Sequence, residues 1–489
     1  YGTHTYGYWK SRGIPYIKPK YPFLGNFYDT MFSLKCNHIK QHEIYNYFSG
    51  ERFGGLFTLT EPTLFIRDPT LIESVIIKDF TSFYNRGTGV NVKTDPMTMN
   101  LVNLQDMQWK SLRQKLTPAF SSGKLKGMHP QLVECSDELV KHLDDYLQIS
   151  EPIEIRDAMA NFTTDVIGSC AFGLSINSLK NPDSEFRKIG KKIFEASLRN
   201  KLRFIIRNQH PSLQRIINLF QKFSTRANFF INVMQNAIAY REKNNIVRND
   251  FVQLLMELKK EDMEKQKTGN LENDQEIIVD DNVVAANAAV FFFAGFETTA
   301  STLSYCLYEL SLNQDIQEEA YLQIVDVLNK YGGEITYEAV KKMKLIHHIF
   351  NETLRLHPPA IQVRRKASKN YTIPGTSLTL PKGASVIIPV YSVQHDPEYF
   401  PDPEKFKPER FTNEKENIKK GTYMPFGDGP RICIGKRFAE MEMHVALVKL
   451  LLNYKFTLNS KTVSPLVYNP ASFLLVPVGG IWLDIHKRV

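Results

Sequence analysis

At 489 residues the chain is long enough for several domains, and its composition, 43% hydrophobic and 23% charged, is that of an ordinary globular protein rather than a disordered or fibrous one. The net charge of +9 is thinly spread, without helix-turn-helix or zinc-finger spacing, so nucleic-acid binding is unsupported. The five cysteines (Cys36, Cys135, Cys170, Cys306, Cys433) are scattered without CxxC spacing, which argues against a disulfide framework or a zinc site and for a reducing compartment. No internal repeat and no long linker divides the chain, so one large, mostly helical unit is expected.

Residues 1–27 are basic and proline-rich, with Pro15, Lys18, Pro19, Lys20 and Pro22. The alternation in Gly54–Leu59 and Thr63–Arg67 predicts two strands, and 85–105 reads as an irregular loop. Helical spacing dominates from Met107 to about Met256, and within it Trp109 and Arg113 fall on one helix face. Residues 257–281 are charge-dense and predict an exposed connection. Asn282 to about Leu312 is long and apolar, a central helix interrupted by Asn287 and Glu297 and therefore not read as a membrane span. It carries Ala294-Gly295-Phe296-Glu297-Thr298-Thr299. Small Ala294 and Gly295 leave room for a ligand against the helix, Thr298 can bond back to the carbonyl of Ala294 and bend it, and Glu297 adds an ionisable group.

A further amphipathic helix over 336–356 is stopped by Pro358-Pro359. Glu352 and Arg355 share one face of it among apolar neighbours, which predicts a buried ion pair. Residues 371–394 read as short strands with turns. Pro425 to Phe438 then form a tight, glycine-rich loop presenting Cys433, followed by a helix to about Asn453 and strand-like segments to 488. A cysteine at a helix start meets unpaired N–H groups and the positive end of the dipole, a setting that favours thiolate, the form a soft iron centre takes.

Phe426-x-x-Gly429-x-Arg431-x-Cys433-x-Gly435 matches the haem-binding signature of the cytochrome P450 family at every defined position. Other segments resemble the family too: Ala294–Thr299 its oxygen-activation motif, Glu352-x-x-Arg355 its ExxR motif, Pro408-Glu409-Arg410-Phe411 its second arginine segment, and Trp109-x-x-x-Arg113 its WxxxR motif. The stretch Leu116–Lys126 is similar to the microsomal, xenobiotic-metabolising branch, arthropod members above all.

The resemblance implies a mainly α fold with small peripheral β-sheets, in a single large catalytic domain over 28–489. Residues 1–27 would be a hinge after a membrane anchor, placing the domain on the cytosolic face of the endoplasmic reticulum. It implies haem b with Cys433 as axial iron ligand. Phe426, Gly429, Arg431, Gly435, Ala294 and Gly295 would lie around the haem, with Trp109, Arg113 and Arg365 at its propionates. Thr298 and Glu297 would serve oxygen activation, and Glu352, Arg355 and Arg410 would hold the haem-side core. The 85–105 loop, the Phe291–Glu297 helix face with Phe293, Ala360, Ile361 and Phe473 would line an apolar pocket for a lipophilic substrate.

No GxGxxG follows a strand, so electrons must come from another protein. The resemblance makes that partner an NADPH–cytochrome P450 reductase, with cytochrome b5 as a second donor. Lys110, Lys115, Lys436 and Arg437 are the candidate contacts for its acidic face. Two rivals remain at the level of sequence: a haem-thiolate isomerase or dehydratase that needs no reductase, and a haem-binding sensor.

Overall fold

The computed structural model describes residues 3–88, 96–149, 151–194, 225–248, 250–268, 276–413 and 418–488. Helices dominate. Among the described residues, those of ten or more residues are α1 (Asn37–Tyr47), α2 (Asp106–Leu116), α3 (Ser122–Ile149), α4 (Ile155–Ile167), α5 (Glu185–Phe194), α6 (Thr225–Asn244), α7 (Phe251–Lys267), α8 (Asp281–Leu312), α9 (Gln314–Lys330), α10 (Lys344–Leu356) and α11 (Lys436–Asn453).

The strands are short and peripheral. β1 (Phe53–Thr58) and β2 (Glu61–Ile66) form a hairpin, and β3 (Ile153–Glu154) lies apart from it. β4 (Val363–Lys366), β5 (Tyr371–Thr372), β6 (Thr379–Leu380) and β7 (Ser385–Ile388) follow, with β8 (Tyr454–Leu458) and β9 (Trp482–Lys487) near the end. The main sheet runs β1-β2-β7-β4, with β2 parallel and β4 antiparallel to β7. One apolar core lies under this sheet and a second, larger one among the helices.

The segment expected to be a hinge is folded onto the sheet. Trp9 is 1% exposed, its indole N–H donates to the Leu56 carbonyl at 2.9 Å, and its ring occupies the space beside Gly55.

α8 is the axis of the helical half. Asp280 caps it by accepting from the Val283 N–H at 2.8 Å, and Asp281 adds negative charge in the first turn. It is long and apolar enough to cross a membrane, yet it is mostly buried, with α4, α6 and α10 packed against it. Close contact with α4 needs Gly295: a Cβ there would fall 2.4 Å from the Ile167 side chain. The room at Gly295 is therefore taken by α4, and the expectation that it opens space for a ligand is corrected.

The charge-dense stretch after Glu257 is not a simple connection. α7 runs through it to Lys267, burying Phe251, Val252, Leu255 and Leu258 at helical spacing while most of its charges face outward and Asp262 turns inward. Residues 269–275 of the expected connection, and 89–95 of the expected pocket loop, lie outside the described residues. The expected helix over 336–356 is two, a short turn at Tyr337–Lys342 and then α10. The expected strands over 371–394 close with a helical turn at Val390–Gln394.

Candidate active site

The loop before α11 is built by local bonds. Asp428 accepts from the Gly429 N–H at 2.7 Å and starts a 3-10 turn over Gly429–Arg431, and the Cys433 N–H donates to the Phe426 carbonyl at 2.9 Å. Gly429 has φ +67°, and a Cβ there would lie 1.9 Å from the Ile76 carbonyl oxygen, so only glycine fits. At Gly435, by contrast, a Cβ would meet nothing nearer than the Phe120 ring at 3.9 Å. The protein itself does not demand glycine there; a flat group lying against the loop would.

Cys433 is enclosed by the fold and yet accessible, so it fronts an internal cleft. Burial pushes its thiol above the usual range; the Gly435 N–H and the Arg86, Arg113 and Lys436 cations oppose this without cancelling it. α11 begins three residues later, at Lys436. The helix start and these cations favour the thiolate, burial opposes it, and a metal cation at the sulfur would complete the shift.

Four guanidinium groups gather near this cysteine. Arg431 is 2% exposed, donates to the Leu104 carbonyl at 2.8 Å and stacks 4.2 Å over the Trp109 ring. Trp109 is itself buried against Phe80 and Tyr84. Arg365 comes from β4, where its pairing with Val386 fixes the face it points to. Arg113 comes from α2, and Arg86 lies in the loop before it, reaching the Arg431 carbonyl at 3.3 Å. Burial and mutual repulsion push Arg431 down to about 8 and Arg365 to about 9, and burial lowers Arg86 and Arg113. The Nε atoms of Arg86, Arg365 and Arg431 are buried without a hydrogen-bond partner, and no carboxylate forms an ion pair with any of the four among the described residues. Such a cluster needs an anion, and guanidinium geometry matches carboxylate. A soft sulfur ligand, a glycine-lined flat surface and orphaned arginine donors together fit haem, with its iron and two propionates. Arg86 was missed from sequence; only the turn at Gly87, with φ +79°, marks its position.

On α8, Ala294 is exposed between half-buried Phe293 and Gly295, and Thr298 is half-buried between buried Glu297 and Thr299. The Thr298 hydroxyl donates to the Ala294 carbonyl at 2.6 Å, as expected, and Thr302 donates to the Thr298 carbonyl at 2.8 Å. From α4, Thr163 donates to the Phe296 carbonyl at 2.9 Å. Successive hydroxyls on helix carbonyls loosen the ladder at this turn. Glu297 is 4% exposed and forms an ion pair with Arg156 at the start of α4. It therefore faces α4, and Arg156 is a partner that sequence reasoning did not supply.

On the other side, Glu352 and Arg355 form a bidentate pair at 2.7 and 2.8 Å with both side chains fully buried. Arg410 reaches Glu352 at 3.3 Å, and the Lys407 N–H donates to it at 2.9 Å. Gln394, also missed, joins this group to the cysteine loop by accepting from the Met424 N–H at 3.1 Å and donating to the Leu354 and Arg355 carbonyls.

Of the expected pocket residues, Phe293 stacks edge-on with Phe230, Ile361 is buried and Ala360 exposed. Phe473 is 72% exposed, on a turn closed by the Asn469–Val476 backbone bond. Of the expected partner contacts, Lys110 and Arg437 are exposed and Lys436 is half-exposed. Lys115 is committed to Asp262 at 2.6 Å and to the Ile277 carbonyl, so it is withdrawn from that surface.

This fold and site define a haem-thiolate oxidoreductase. A family model of cytochrome P450 matches residues 15–483, and the chain belongs to that family, whose members are monooxygenases that bind haem b through a cysteine thiolate and take electrons from a reductase. It is 42% identical over 98% of its length to "Probable cytochrome P450 6a13" and 38% identical over 99% to "Cytochrome P450 6a2", both of Drosophila melanogaster, covering 94% and 96% of those relatives. It is 36% identical over its full length to "Cytochrome P450 9e2" of Blattella germanica, covering 95% of that relative.

Proposed function

We propose that this monooxygenase inserts one oxygen atom from O2 into lipophilic small molecules, foreign compounds among them, using NADPH electrons delivered by a flavoprotein reductase at the cytosolic face of the endoplasmic reticulum. The observation that carries the reading is the convergence of the orphaned arginines with the Cys433 loop. The apolar residues Phe293 and Ile361 suit a lipophilic ligand, and the insect relatives suit a role against foreign compounds. Lys110, Lys436 and Arg437 would meet the reductase and cytochrome b5.

In this reading Cys433 holds the iron, while Arg86, Arg113, Arg365, Arg431 and Trp109 hold the carboxylates. Haem bound there supplies the activation of oxygen. Thr298 already spends its proton on the Ala294 carbonyl, so its Oγ1 can accept a hydrogen bond in the cleft and hold a water there. Glu297 carries protons toward that water only when it leaves Arg156, so the ion pair limits the supply.

Reductase-supported turnover of a panel of lipophilic compounds, with products identified, tests the reading. Cys433→Ser is expected to abolish the thiolate-type Soret band of the reduced, carbon-monoxide-treated protein. Thr298→Ala is expected to lower product per NADPH roughly tenfold or more, with peroxide rising in its place. Unchanged coupling removes the role given to Thr298, and no product from any compound removes the wider proposal.

A further inference from the structure

Asn287 interrupts the apolar run of α8 two turns before Ala294, and it is 0% exposed. A primary amide in such a core must find partners, and those partners show its purpose. Its Oδ1 accepts from the Leu101 N–H at 3.0 Å. Its Nδ2 donates to the Met99 carbonyl at 3.2 Å and to the Val283 carbonyl of its own helix at 2.7 Å. One side chain thus pairs with the carbonyl and the amide that flank Asn100, as a neighbouring strand would, and ties residues 96–104 to the central helix.

The rest of this loop has a compact local structure. Asn100 accepts from the Val102 and Asn103 N–H groups and donates to the Met97 carbonyl. Leu101 and Leu104 are buried. At its far end, Arg431 donates to the Leu104 carbonyl at 2.8 Å and approaches the Val102 carbonyl at 3.5 Å. The loop is therefore held at two points, by α8 at residues 99 and 101 and by the arginine cluster at 102 and 104. Without Asn287, the buried Leu101 N–H and the part-buried Met99 carbonyl lose their partners, and the loop gains by moving away from α8 to reach water.

We propose that Asn287 is a specificity-determining clamp: by fixing residues 96–104 against α8 it limits the width of the ligand pocket and excludes bulky ligands. This rests on the reading of that loop as a pocket wall. Asn287 touches no reacting atom; it acts through the loop.

The test uses haem-loaded full-length protein and Asn287→Leu, which keeps the bulk and removes all three bonds. Hydrogen exchange at the Leu101 amide is expected to speed up about tenfold. Spectral titration with imidazole and with clotrimazole, which carries the same ligating ring with three aryl groups, is expected to shift the ratio of the two dissociation constants about tenfold in favour of clotrimazole. Asn287→Ser satisfies its hydroxyl on the Val283 carbonyl of its own helix and is too short to bridge to the loop, so it is expected to match Asn287→Leu on both measures; it also carries the test if the leucine variant does not fold. Faster exchange with an unchanged ratio overturns the specificity role, and unchanged exchange overturns the clamp itself. Failure of the monooxygenase reading would show separately, as a wild-type carbon monoxide band of the wrong type.

Discussion

Arg355 and Arg365 stand ten residues apart in the chain, both buried, and differ in what surrounds them. Every arm of Arg355 is used: two bonds to Glu352, one to the Gln394 carbonyl at 3.0 Å and one to the Lys405 carbonyl at 3.2 Å. Arg365 donates to its neighbour's carbonyl at 2.9 Å, has an orphaned Nε and is repelled by Arg86. The first guanidinium is completed by the protein and serves the fold. The second has no acceptor for its Nε among the described residues, which suits a ligand. Burial alone does not distinguish them; their hydrogen bonds do.

The largest expected effect tests the first half of this contrast. Arg355→Ala leaves Glu352 charged and fully buried, which costs about 3–5 kcal/mol, out of a total stability of about 5–15 kcal/mol for a typical domain. Little folded, haem-containing protein is expected. Normal haem content and a melting temperature near wild type would show that the group is not structural.

The next effect tests the second half. Arg365→Met removes a repelled charge, so the haem-free protein is expected to be unchanged or more stable by about 1 kcal/mol. The haem-loaded protein loses a donor to the propionates, and haem is expected to transfer to an acceptor globin between tenfold and a hundredfold faster, roughly 1.5–3 kcal/mol. If haem-free Arg365→Met melts as low as Arg355→Ala, the distinction between the two arginines fails.

How much of this was legible in the sequence follows from distance along the chain. The cysteine loop, the Glu352–Arg355 pair and the Thr298–Ala294 bond each lie within one turn or one helix face, so residue spacing carries them. Arg86 lies 345 residues from the carbonyl it reaches, and Arg156 lies 141 residues from Glu297; only the turn at Gly87 marks the first and nothing local marks the second. Gln394 joins α10 to the cysteine loop through backbone groups, which no side-chain pattern announces. The charges on α7 hid its helix because all but Asp262 among its acids lie toward its outer face, whereas its apolar residues follow the helical period. Gly295 was misread because a small residue signals close approach without saying by what, and here it is α4. Arg365, placed only by resemblance, owes its position to β4.

The smallest effect extends the contrast to histidine and appears only in acid. His357 is completed by Glu309 at 2.7 Å and Tyr468 at 2.9 Å. His38, 5% exposed, sits instead between the ring edges of Tyr391 and Tyr468, and burial with the nearby His42 lowers it to about 4. The folded protein therefore binds its proton more weakly than the unfolded chain, whose histidines titrate near 6.5. The resulting stabilisation is complete above pH 6.5 and is lost as pH falls from there toward 4. Other buried histidines, among them His444, lowered to about 3, add to the total loss, so a variant is needed to isolate this one. His38→Phe keeps a ring in the cluster and cannot take a proton. Denaturant unfolding is expected to find it within about 0.5 kcal/mol of wild type at pH 7.5 and about 1 kcal/mol more resistant to the acid loss at pH 5.5. Parallel pH profiles for the two proteins would mean that His38 takes up its proton as readily in the fold as out of it.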